Sequence, residues 1–243
     1  MFHETGEGSI FGRSQCTMPG SMDGRWIALP LYGLIGSDKI DKPMTRRNLL
    51  LIAILSEGSL VLLAWGIGAL VGTPAFDLIH VTGAAMGYGL LASVPMLAAL
   101  AWVIRTAWPP LARFRGTIDE VVAPLFANST VLDLLIISML AGIGEEVLFR
   151  GVMQTALTGV VGLWLAVVLT SIVFGLAHFI SVTYAVYATV VGAYLGVLLI
   201  VFDNLLVPVV AHAAYDFLAL IYLVYFRPPA AAITPEALSE PPA

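Results

Sequence analysis

The chain has 243 residues, 59% of them hydrophobic and only 11% charged, with a net charge of −5 and a mean hydropathy of +0.95. A soluble domain of this size carries about 25% charged residues, and a transmembrane barrel carries short segments of period-2 alternation; neither pattern is present, which leaves an all-α, polytopic membrane helical bundle. The single cysteine, Cys16, excludes an internal disulfide framework and any multi-cysteine metal site.

Residues 1–48 read as a polar, Gly-rich arm without a basic-then-apolar leader, and Met18, Met22 and Met44 offer alternative starts. Within it Trp26–Ile35, broken by Pro30 and Gly33, is too short to span and suits the membrane interface. Lys39, Lys42, Arg46 and Arg47 then form a basic cluster that reads as a cytoplasmic anchor. Residues 49–226 hold about six apolar runs long enough for a transmembrane helix. The first, near Leu49–Val71, contains Glu57, which is either a hydrogen-bonded packing residue or a partner of a more distant polar cluster. The second, near Thr82–Ile104, is followed by Arg105, Arg113 and Arg115, and Leu111–Asn128 has the alternation of an amphipathic surface helix.

The third span, from Ser129 to about Leu157, carries Glu145, Glu146 and Arg150 in its middle. A charge at a helix centre costs roughly 2.5–3.5 kcal/mol to insert, so the three must face protein or a wet cavity. The fourth, about Val160–Ile180, contains Phe174 and His178. The fifth, about Thr183–Phe202, carries Gly192 and Gly196 at the spacing of a close helix contact. The sixth, about Asn204–Phe226, contains His212 and Asp216, and the Pro/Ala-rich tail 227–243 suits disorder. The basic residues place both termini in the cytoplasm. No internal repeat supports an inverted-repeat transporter.

Glu146 and Arg150 are four apart in the favourable acid-first order, so Glu146 is the nearest counter-charge for Arg150. Glu145 is rotated about 100° from it and is free for another role. The bland reading is a single buried ion network that fixes helix packing. His178 and His212 are the only histidines inside spans, and with the glutamates and Asp216 they make two chemistries available. Glu145 can take a proton from a water that attacks an amide while the imidazoles assist. Alternatively Glu145, His178 and His212 can hold a divalent metal such as zinc, with a position left open for water. There is no His-Glu-x-x-His helix. Ser138 and Ser171 lack a nucleophile setting, and Cys16 lies outside the spans, so neither a serine nor a cysteine nucleophile is expected.

The series Glu145-Glu146-x-x-x-Arg150, Phe174-x-x-x-His178 and His212-x-x-x-Asp216, in this order over roughly Ser129–Phe226, resembles the CPBP family of intramembrane proteases. These are the CAAX proteases and bacteriocin-processing enzymes, also called the Abi family. The resemblance implies a membrane endopeptidase in which Glu145 is the general base and His178 its partner in activating water. His212 and Asp216 would stabilise the oxyanion, with Glu146, Arg150 and Phe174 in support. The family is often classed among metalloproteases, which keeps a zinc ion on Glu145, His178 and His212 open. Its third motif often ends in Asn; an ionised Asp216 would repel an oxyanion, so Asp216 is expected to be protonated, to orient His212 or to act as a carboxylate ligand. The implied partners are membrane lipid and a membrane-embedded or lipidated protein or peptide, with no nucleic acid, and the implied location is a multi-pass protein of a bacterial plasma membrane. A catalytically silent scaffold or immunity protein, or a proton-coupled transporter, would use the same residue types.

Overall fold

The computed structural model describes residues 45–227. The interfacial stretch Trp26–Ile35, Cys16 and the expected disordered tail lie outside them. Among the described residues the chain forms seven helices and no strand. They are α1 (Arg46–Val71), α2 (Gly83–Arg105), α3 (109–126), α4 (131–161), α5 (Leu163–Ala177), α6 (Val182–Phe202) and α7 (Leu206–Phe226). Three helices contain a wider, π-helical stretch: Ile118–Val122 in α3, Val147–Gln154 in α4 and Tyr222–Phe226 in α7.

The starts of four helices follow from hydroxyl caps, which satisfy backbone N–H groups that the first turn leaves free. Thr45, Thr82, Thr130 and Ser181 accept from the backbone nitrogens of Asn48, Ala85, Asp133 and Tyr184 at 3.1–3.3 Å. Thr130 and Asp133 form a reciprocal capping box. Gly72, at φ 71°, turns the chain out of α1, and Asp203, at φ 45°, does the same after α6.

Helices α1, α2, α6 and α7 are each long and apolar enough to cross a membrane. The first begins at Arg46, a turn before the expected Leu49, because Thr45 supplies the cap. The expected fourth span needs correction. Gly162, at φ 83°, separates α4 from α5, and α5 ends at Ala177 after 15 residues. At 1.5 Å per residue that is about 22 Å, short of a hydrocarbon core of about 30 Å. Helix α4 runs on without a break to Val161, past the expected end near Leu157.

Helices α4 and α7 pack on each other at the centre, with α2 against α7, α1 against α4, and α5 paired with α6. One end of the bundle collects the charges. There Arg46 makes a two-pronged ion pair with the buried Asp133 at 2.5 and 2.8 Å, Arg227 pairs with Asp119 at 2.8 Å, and the Tyr225 hydroxyl donates to the Ser129 carbonyl at 2.9 Å. At the opposite end the Asn204 amide donates to the His80 carbonyl at 2.8 Å and accepts from the His80 N–H at 3.1 Å. It also accepts from the Leu206 N–H at 3.0 Å, which fastens the α1–α2 connection to the start of α7.

Candidate active site

The two glutamates end the regular part of α4, immediately before its π-helical stretch, and their side chains leave the helix in different directions. Such wide turns inside an α-helix recur at functional sites. Glu146 is fully buried, and its Oε1 accepts from Arg150 Nη1 at 3.0 Å and from His212 Nδ1 at 2.8 Å. Arg150, 1% exposed, donates its second arm to the Gly192 carbonyl at 2.9 Å, and its guanidinium lies 4.3 Å from the centre of the Phe174 ring. The charge of Arg150 is therefore met by an anion, a carbonyl and an aromatic face.

Glu145 points the other way. Its Oε2 lies 3.5 Å from His178 Nε2 and 4.0 Å from His212 Nε2, is buried, and has no hydrogen-bond partner. His178 caps the end of α5 in a non-helical conformation, its ring 4.4 Å from that of Phe174. His178 Nδ1 lies 2.9 Å from the Phe174 carbonyl. A carbonyl only accepts, so Nδ1 carries the proton and Nε2 faces Glu145. Helix α5 ends at Ala177, so His178 is the first residue past the helix. Residue Asp216 lies one turn on from His212, with Oδ2 3.4 Å from His212 Nε2. All seven residues singled out in the sequence thus converge, from α4, α5 and α7, on one polar cluster.

Reading the sequence missed three features. The pair Gly192 and Gly196 acts through polar contacts, since Arg150 and Gln154, four apart on α4, reach the two carbonyls at 2.9 and 3.0 Å. The matching four-residue steps in α4 and α6 were the available signal. Tyr187 and Tyr215 share a hydroxyl–hydroxyl hydrogen bond of 3.0 Å beside Asp216. A cavity of about 240 Å³ opens next to them, walled by Ile137, Ala141, Tyr184, Tyr215, Asp216 and Leu220 among others.

Among the described residues no group of three His, Cys, Asp or Glu side chains is arranged to hold a metal ion. His212 turns Nδ1 to Glu146, which fixes the ring and leaves Nε2 facing Asp216 and Glu145.

Neither the curated proteins nor the solved structures gave a match to this chain. Residues 127–218, from just before α4 into α7, match the family described as type II CAAX prenyl endopeptidase Rce1-like. The Rce1-like match covers the helices that build the polar cluster and is consistent with a CPBP/CAAX-protease family.

Proposed function

We propose that the chain is an intramembrane endopeptidase that cleaves a membrane-embedded or lipidated peptide with a water activated by Glu145. The observation that carries this reading is the buried, unpartnered Glu145 oxygen between two imidazoles at 3.5 and 4.0 Å. A water about 2.8 Å from Glu145 Oε2 and from a ring nitrogen fits that spacing. Glu145 takes one proton as the water oxygen attacks the peptide carbonyl carbon. The carbonyl oxygen becomes an oxyanion facing the Nε2–H of His212, whose ring is held by Glu146 behind it and Asp216 beside it. The proton on Glu145 then passes to the amide nitrogen as the C–N bond breaks, and Glu145 is again a carboxylate.

In this reading Asp216 orients His212 and does not itself meet the oxyanion. Both roles of the acids depend on their separation: Glu146 is tied to Arg150 and His212, which leaves Glu145 as the base. The apolar cavity beside Asp216 is the natural seat for a substrate side chain next to the scissile bond. The gathering of Arg46, Arg115 and Arg227 at one end of the bundle supports a cytoplasmic face there, with both termini on that side.

The test is cleavage of a panel of lipidated and transmembrane peptides by the purified protein in lipid nanodiscs. Replacing Glu145 by Ala removes about 10²–10⁴-fold of the rate, the usual share of a general base, with thermal unfolding unchanged. Cleavage by Glu145→Ala at the wild-type rate refutes the base assignment. A wild-type protein that binds but cuts nothing in the panel favours the silent-scaffold reading. Activity that survives prolonged chelation supports the metal-free route, and activity lost to chelation and restored by zinc defeats it.

A further inference from the structure

Glu57 is the one acid in α1, and the helix around it presents Ile54, Leu55, Leu62 and Leu63 outward. Its carboxyl turns the other way, onto α4. Oε1 takes the Ser56 hydroxyl at 3.2 Å, while Oε2 is buried and has no hydrogen-bond partner. The surface it meets is the α4 backbone at Gly144. A Cβ there would stand 3.3 Å from Glu57 Oε2 and 2.8 Å from the Glu57 carbonyl oxygen, so only glycine admits the contact. The next residue in α4 is Glu145, whose Oε2 is likewise buried and unpartnered.

Two neighbouring acids, each with an orphan oxygen in a region poor in water, are costly apart. Together they satisfy each other if one proton, or one water, lies between them. We infer that Glu57 is a positioning residue for Glu145: its carboxyl shares a hydrogen bond, direct or through one water, with the Glu145 carboxyl and fixes the rotamer that meets His178 and His212. This rests on the reading of Glu145 as the base. It makes α1, which lies outside the stretch matched to the family, a working part of the site.

A packing role and a positioning role differ in what a replacement preserves. Glu57→Gln keeps the shape and can donate its N–H₂ to Glu145, so kcat stays within about threefold of wild type, whereas Glu57→Leu loses at least about tenfold in kcat with KM unchanged. Glu57→Asp keeps the charge and withdraws it by one methylene, and it falls with the Leu variant. If Glu57→Leu does not fold, the contrast between Gln and Asp carries the test. Wild-type kcat in both Leu and Asp, or a Gln variant as impaired as Leu, overturns the inference. Glu145→Ala run alongside separates the two claims. If it still cleaves, the base assignment falls; if it is dead while Glu57→Leu cleaves normally, only the role of Glu57 falls.

Discussion

Arg150 has a demanding environment, because a permanently charged group is 1% exposed at mid-helix. Its two arms end on Glu146 and on the Gly192 carbonyl, and its plane covers Phe174, whose own carbonyl and ring hold His178. Lysine can supply the charge but not the fork or the flat face. Arg150→Lys is therefore expected to fold with a lowered melting temperature and reduced cleavage. Arg150→Met is worse, since it strands Glu146 without its counter-ion; loss of one partner of a buried pair costs about 3–5 kcal/mol. Adding Glu146→Gln to Arg150→Met should recover part of that loss in thermal unfolding. Cleavage should stay low, because His212 then faces an amide where it had a carboxylate. If the double variant is no more stable than Arg150→Met alone, the pair is not the source of the cost.

At the scale of elements, the site is a contact between α4 and α7 with α5 brought in from the side. The contact is close because of Gly142, one turn before Glu146. A Cβ on it would lie 2.9 Å from the Ala213 Cβ, 2.9 Å from the Val209 carbonyl oxygen and 3.0 Å from the Ala213 nitrogen. Backbone atoms cannot swing aside, so Gly142→Ala must push the two helices apart by some tenths of an ångström. Misplacements of this kind cost up to about 10²-fold in rate, and a large loss of cleavage with a modest drop in melting temperature is expected. Gly87→Ala, on an exposed face of α2 with nothing within 4 Å, is the matched control and should change neither. The i,i+4 pairs Glu146–Arg150 and His212–Asp216 were legible because helical periodicity alone places them on one face. The π-helical stretch Val147–Gln154 was not, since Val-Leu-Phe-Arg-Gly-Val-Met-Gln has no local signature that separates a wide turn from a regular one. That choice is made by what the stretch packs against: Ala64, Ala75, Phe174 and Leu205.

The whole molecule explains why the helical bundle could be read from hydropathy while the depth of His178 could not. Apolar runs fix where helices exist, but the end of α5 at Ala177 is set by how α5 packs back on α4 after Gly162 and not by hydropathy. Glu57 stood between two readings for the same reason, as nothing in one sequence says which helix α1 lies against. The α1–α2 connection is held at the end away from the charge cluster, and Asn204 does most of the holding. Its side chain makes three hydrogen bonds, to both backbone groups of His80 and to the Leu206 N–H, while the Leu205 N–H reaches the Leu78 carbonyl at 2.8 Å. Asn204→Ala leaves those backbone groups unpaired at a nearly buried position, at a cost of about 1–3 kcal/mol. Asn204→Asp keeps the two accepting contacts and loses only the donation to the His80 carbonyl, so it should be the milder change. Because α1 carries Glu57 to the site, loosening this end should lower cleavage as well as stability. The check is limited proteolysis of residues 73–82 together with the cleavage rate. Faster nicking with falling activity in the order wild type, Asp, Ala is expected, and nicking without any loss of activity would mean that α1 holds its place on α4 without help from this connection.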